Sequence, residues 1–200
     1  YIHADRVWNE LGFTGNGIVV GHVDTGVWLV HPDLIDRLWV NVGEIPDNGI
    51  DDDGNGFVDD VHGWDFGVGD NNPNDDGPGA GHGTHTAGTV AGDGTNGTLT
   101  GTAPGARIMA LKVWQADGSG GSLGMIWAAQ QYAVENGARI ITMSLAIPGA
   151  IPTQFLRAER FNDANIRDAG VTFFNSAGND HFRSAPPTEL GLSARVPAPW

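Results

Sequence analysis

Ile18-Val19-Val20-Gly21-His22-Val23-Asp24-Thr25-Gly26 is the stretch on which the fold turns. It is apolar through most of its length and stops on a carboxylate followed by a turn. That is the pattern of a strand covered on both faces, as in a parallel sheet. Three more runs share it: Arg107 to Val113, Ile140 to Leu145 and Val171 to Ser176. Helical candidates lie between them. His82 to Ala91 is rich in Ala, Thr and Gly, a composition suited to tight packing. Ser122 to Asn136 puts Leu123, Ile126, Trp127 and Ala133 at helical spacing, with Ser122 as N-cap and Gly137 as stop. Thr153 to Ala169 follows Pro152 and ends at Gly170. Alternation of this kind predicts an α/β fold of three layers, a mostly parallel sheet with helices on both faces. Function in such folds gathers at the carboxyl ends of strands, where Asp24, Ser144 and Ser176 stand.

Composition narrows the function classes. The chain has 200 residues and no cysteine, so disulfides, thiolate metal sites and thiol catalysis are excluded. No apolar run approaches the roughly 20 residues of a membrane span. The formal charge is −14, and ten of the 24 acidic residues are aspartates between Asp47 and Asp76. Between Arg37 and Arg107 there is no Lys or Arg, and Lys112 is the single lysine. A nucleic-acid backbone or an anionic membrane surface would be repelled by that segment, so neither is expected as a partner. The 31 glycines, about twice average usage, follow no period and read as turn punctuation.

Three local patterns carry chemistry. Asp24 closes a buried strand and needs a hydrogen-bonding partner. Gly81-His82-Gly83-Thr84-His85 opens the glycine-rich helix. Asn175-Ser176-Ala177-Gly178-Asn179 leaves the last strand in a tight turn. A hydroxyl is a poor nucleophile until an imidazole takes its proton, and the imidazole needs a carboxylate to fix its tautomer. Singly, each pattern is also what a cap, a core histidine or a turn looks like.

In order along the chain, Val23-Asp24-Thr25-Gly26, His31-Pro32-Asp33-Leu34, Gly81-His82-Gly83-Thr84-His85-Thr86-Ala87-Gly88 and Asn175-Ser176-Ala177-Gly178-Asn179 resemble the subtilisin-like serine peptidases, the subtilases. The likeness runs from about Ile2 to Asn179. It implies serine endopeptidase action on extended polypeptides. Asp24 would orient and support the histidine, His82 would be the general base and acid, and Asn179 would donate to the oxyanion. Gly118, Ser119 and Gly120 resemble one edge of a cleft that holds substrate as an added strand, and Ser144, Leu145 and Ala146 the other. Ser176, Ala177 and Gly178 would line the S1 pocket with residues 144–146. The family usually has Gly where Ala146 stands, which leaves the P1 preference open.

The nucleophile is missing from the pattern. Serines 119, 122, 144, 176, 184 and 193 all lack the Gly-Thr-Ser-Met-Ala context that the family places on a later helix. The expectation is that residues 1–200 are an incomplete catalytic domain whose remaining part supplies the serine. The alternative is a calcium-stabilised, non-catalytic relative that binds peptides. A propeptide is a further expected partner, and secretion is implied by the resemblance.

Asp24 and His82 lie 58 residues apart because of an acidic insertion, residues 43–80. Asp51-Asp52-Asp53-Gly54-Asn55-Gly56 fits the first half of an EF-hand-type loop, with oxygens of Asp51, Asp53 and Asn55 converging on one calcium ion. Position 12 is His62 rather than Glu, so Asp59 or Asp60 would close the site. Asp65, Asp70 and Asn72 resemble a second calcium loop of some thermostable subtilases. Asp33 with residues 93–98 resembles a third. The bland reading of the first is an acidic surface turn.

Overall fold

The computed structural model describes residues 2–77, 79–114, 117, 119–145 and 162–176. Its centre is a five-stranded, all-parallel sheet: β1 (Val19–Asp24), β2 (Gly63–Asp65), β3 (Arg107–Lys112), β4 (Ile140–Met143) and β5 (Thr172–Asn175). The strand order is β2-β3-β1-β4-β5. β1 is central and pairs β3 on one side (Gly21 opposite Met109) and β4 on the other (Gly21 opposite Ile141). The chain therefore leaves β1 toward one edge and later returns on its other side. That reversal makes the carboxyl end of β1 a topological switch point, where a crevice opens in α/β sheets. Asp24 stands at that end.

Side chains alternate between two cores. Val23, Met109, Leu111 and Ile141 point to the face covered by α3 (Leu123–Glu135), against Ile126, Ala129, Tyr132 and Ala133. Val20, Ile108 and Ala110 point to the opposite face, where α2 (His82–Ala91) buries Ala87 and Ala91. A Cβ on Gly21 would come within 2.8 Å of the Ala133 Cβ, so glycine lets α3 approach the sheet. Ser122 caps α3, its Oγ accepting the Met125 N–H at 3.3 Å. Before β1 lie a short α1 (Ala4–Arg6) and a wider helical turn, Val7–Leu11. Among the described residues no helix is long and apolar enough to cross a membrane.

The expected helices at 82–91 and 122–136 form with nearly those bounds. Of the helix expected at 153–169, residues 162–168 form α4 and residues 153–161 lie outside the described residues. The edge strand β2 was not expected. It lies inside the acidic insertion and pairs Gly63 with Ala110 and Asp65 with Lys112.

That insertion is anchored. Phe57 and Phe66 meet Tyr132 of α3 edge to face, with ring centroids 4.9 and 5.9 Å apart. The Tyr132 hydroxyl donates to Asp60 Oδ2, and Asp60 is fully buried. Burial and the adjacent Asp60 push the Tyr132 pKa upward, keeping that donor protonated.

Candidate active site

The carboxyl end of β1 meets the first turn of α2. His82 Nδ1 lies 2.6 Å from Asp24 Oδ1. A carboxylate can only accept, so Nδ1 carries the hydrogen and a neutral ring keeps its lone pair on Nε2. Asp24 is fully buried, whereas the His82 side chain is 50% exposed. The buried carboxylate is also held by the Thr25 N–H, 2.7 Å from Oδ1, and by the Thr86 hydroxyl, 3.3 Å from Oδ2. Such pairing is what a buried charge requires. A carboxylate fixing the tautomer of a half-exposed imidazole is the arrangement of a general base.

The start of α2 depends on a residue that sequence reasoning missed. Gly81, at the N-cap, has no side chain to satisfy the first-turn N–H groups. Asp75 does so from the acidic segment. Its Oδ2 accepts the N–H groups of Gly81 at 2.8 Å and Thr84 at 2.9 Å, and the Thr84 hydroxyl at 2.5 Å. Its Oδ1 accepts the Thr25 hydroxyl at 2.9 Å, and Thr25 Oγ1 in turn accepts the Gly83 N–H at 2.9 Å. The negative charge also suits the positive end of the helix. A Cβ on Gly83 would sit 2.1 Å from the Gly26 carbonyl oxygen, so only glycine lets helix and strand end meet this closely. A helix opening on Gly-His-Gly, without a capping side chain, was the available signal that a cap comes from elsewhere.

Of the expected substrate-binding residues, Ser144 and Leu145 follow β4 and Ser176 follows β5. The Ser176 hydroxyl donates to the Leu145 carbonyl at 3.0 Å, and its N–H to the Met143 carbonyl at 3.0 Å. The two segments are thus held side by side. Ser119 and Gly120 are exposed beyond β3, and Ser119 binds Asp117 Oδ1 through N–H (2.8 Å) and hydroxyl (2.6 Å). Gly118, Ala146, Ala177, Gly178 and Asn179 lie outside the described residues.

Among the expected metal ligands, carboxylate oxygens of Asp51 and Asp53 gather with one from Glu44, all within 4.8 Å of one another. Glu44 was not anticipated; it also accepts the N–H groups of Asp52 (2.9 Å), Asp53 (3.2 Å) and Asp59 (2.9 Å). Asn55 turns its amide nitrogen toward Asp53 Oδ2 (3.2 Å) and Asp60 Oδ2 (3.0 Å), while its oxygen accepts the Phe57 N–H. Asp65 sits elsewhere, 3.2 Å from the Lys112 ammonium, which also contacts Asp76 at 2.7 Å. Burial holds the Asp65 pKa above the ordinary carboxylate range. Burial acts to lower the Lys112 pKa, but Asp76 and Asp65 outweigh it and hold it high. The backbone of Asp70 bridges that of Asp65, and Asn72 is exposed. Asp33 is buried, with Oδ2 accepting the Thr98 hydroxyl at 2.6 Å and Oδ1 left without a hydrogen-bond partner.

Comparison with known proteins places the chain in a family. The model of the subtilase family (peptidase S8) matches residues 15–200. The chain is 34% identical over 179 residues to the major intracellular serine protease of Bacillus subtilis, covering 90% of this chain and 48% of that protein. It is 35% identical over 149 residues to thermitase of Thermoactinomyces vulgaris, covering 72% and 42%. It is 39% identical over 151 residues to the minor extracellular protease Vpr of B. subtilis, covering 72% and 16%. The chain thus spans about half, or less, of the relatives it matches. Among solved structures, a lanthipeptide protease superposes with a TM-score of 0.62 at 24% identity, covering 88% of this chain and 44% of that one. A cold-adapted subtilisin-like serine proteinase gives 0.58 at 24%, covering 84% and 48%.

Proposed function

From the premise that this chain belongs to the subtilase family, we propose that it supplies the base half of a serine endopeptidase acting on extended polypeptides. The observation that carries this reading is the 2.6 Å contact between His82 Nδ1 and the buried Asp24 at the switch point of the sheet. In the reaction His82 Nε2 takes the serine hydroxyl proton as oxygen attacks the scissile carbonyl. The same nitrogen then returns that proton to the leaving amine. Asp24 stabilises the imidazolium formed between those steps. Asn179 donates to the oxyanion. The substrate backbone pairs with segments 118–120 and 144–146 as an added strand, and residues 176–178 complete the S1 pocket. The nucleophilic serine comes from outside residues 1–200, as do a propeptide and the remainder of the domain.

Calcium belongs to the same proposal, as a structural ion. Asp33 supports it, because a buried carboxylate oxygen without a donor is satisfied by a cation held with residues 93–98. The oxygens of Glu44, Asp51 and Asp53 offer a second group of hard ligands; Asp60, which the sequence pattern would add, has both oxygens engaged by Asn41, Asn55 and Tyr132. At Asp65 the compensating cation is the Lys112 ammonium, so the calcium proposal for Asp65, Asp70 and Asn72 rests on the sequence likeness alone. Bound calcium would neutralise clustered carboxylates and stabilise the fold. Secretion completes this reading.

The alternative is a peptide-binding relative without catalysis, in which Ser119, Ser122 and Ser176 keep only the local hydrogen bonds they make here. The test uses the full-length protein and a fluorophosphonate probe. We expect labelling of a serine outside residues 1–200, and hydrolysis that falls at least about 10³-fold in His82→Ala. Labelling within residues 1–200 would relocate the nucleophile. Neither label nor hydrolysis would favour the binding protein.

A further inference from the structure

β1 carries one polar side chain before Asp24. His22, 1% exposed, lies under the first turn of α2. Its Nε2 is 2.9 Å from the Gly83 carbonyl oxygen. That oxygen only accepts, so Nε2 carries a hydrogen. The same nitrogen lies 3.2 Å from Thr86 Oγ1, so the Thr86 hydroxyl cannot donate to it and keeps its hydrogen for another acceptor. Three acceptors are within reach: the carbonyls of His82 and Gly83, each at 3.1 Å, and Asp24 Oδ2 at 3.3 Å. Both carbonyls are neutral and the carboxylate is charged, so the carboxylate is the stronger acceptor.

We propose that His22 is a positioning residue for the catalytic pair. Its Nε2–H occupies the Gly83 carbonyl and denies the Thr86 hydroxyl an acceptor on the ring, so that this hydroxyl donates to Oδ2 of Asp24 while Oδ1 holds His82. The proposal rests on reading Asp24 and His82 as catalytic. A purely space-filling role fits the site poorly, because the other ring nitrogen, Nδ1, is buried without a hydrogen-bond partner. An aliphatic side chain would fill the same space without that orphaned atom. The ring stays neutral, with burial driving its pKa down. Asp24 and Asp75 act against burial and His82 with it. One tautomer therefore persists, and the direction of the Thr86 hydroxyl with it.

The test is histidine NMR on the full-length protein, following the titration midpoint of His82 and its low-field Nδ1 proton, together with kcat and KM. His22→Leu removes the donor and keeps the bulk. The Thr86 hydroxyl then turns to a helix carbonyl, Asp24 Oδ2 loses a donor, and the more basic carboxylate favours the imidazolium. We expect the His82 midpoint to rise above that of wild type, the direction that loss of a donor to the carboxylate dictates. We expect kcat to fall about tenfold with KM unchanged. Thr86→Val should do the same, and the double variant should add nothing further. His22→Gln, whose amide nitrogen can reach the place of Nε2, should restore the midpoint. A wild-type midpoint and kcat in His22→Leu would overturn the proposal. If that variant does not fold, Thr86→Val and Thr86→Ser decide: the first must shift the midpoint and the second must not. An unshifted midpoint in Thr86→Val overturns the idea. Because the NMR readout needs no turnover, a protein that cleaves nothing would refute the proposed function and still leave this coupling measurable.

Discussion

Replacing Asp75 by alanine should cost both stability and turnover, though the residue touches neither the imidazole of His82 nor Asp24. Its carboxylate serves two N–H groups and one hydroxyl of the first turn of α2, and ties that turn to Thr25 beyond β1. It is buried, so solvent replaces these bonds poorly. Loss of a helix cap costs about 0.5–2 kcal/mol. Leaving a charged hydrogen bond's partner unsatisfied costs about 1.5–3 kcal/mol. These overlap, so about 3 kcal/mol is the expected total. At 2–4 °C per kcal/mol for a domain of this size, the midpoint should fall by about 6–12 °C. His82 is the first residue of the helix, so a looser first turn also loosens Nδ1 from Asp24. Misplacement on the order of 1 Å costs about 10²-fold in rate. The assay is scanning calorimetry for the midpoint, with peptide hydrolysis measured well below the variant's transition. Asp75→Asn retains an acceptor and should fall between. A midpoint within 1 °C of wild type, or full turnover with a lowered midpoint, would refute the idea that this aspartate sets the base.

The remaining predictions concern charge. Lys112→Met leaves Asp65 buried without its cation and should destabilise by about 3–5 kcal/mol in chemical denaturation. Lys112 has a raised folded pKa. Its contribution is therefore full below the ordinary value of 10.5 and lost as pH rises through the folded value. Wild type should lose stability in that alkaline window and Lys112→Met should not; equal slopes would argue against the ion pair. Excess EDTA should lower the thermal midpoint of protein equilibrated with calcium. Saturation at 100 times Kd stabilises by about 2.7 kcal/mol, or ~5–11 °C. An unchanged midpoint would count against calcium at every acidic group named above.

What the sequence made legible was whatever local pattern encodes. β1, β3 and α3 could be read because apolar runs, a serine cap and a glycine stop are signals within a few residues. The Asp24–His82 pair was legible through ordered motifs, although 58 residues separate its members. β2 was not. Gly63-Trp64-Asp65 has no strand-like run, and becomes a strand only because Ala110 to Lys112 stands beside it. Asp75 and Glu44 were hidden for a related reason. Each looked like one acid among many, and its role depends on which unpaired N–H groups the fold brings to it.

The ten aspartates between Asp47 and Asp76 therefore do not form one repulsive field. Asp51 and Asp53 gather with Glu44, and Asp60, which shares Asn41 and Asn55 with Asp53, reaches Tyr132 in the core. Asp65 and Asp76 flank Lys112, and Asp75 holds α2. Asp75 is held by N–H and hydroxyl donors alone, and neither the Glu44, Asp51 and Asp53 group nor Asp33 has a protein cation among the contacts described. Chelation should accordingly act first on residues 44–53 of the insertion and on the loop after α2. Asp24 is held by Thr25 and Thr86, and Asp75 holds the helix turn that carries His82, all of them groups within the protein. Heat inactivation without calcium should thus proceed through loosening of the loops, with the Asp24–His82 contact intact in every molecule that still folds.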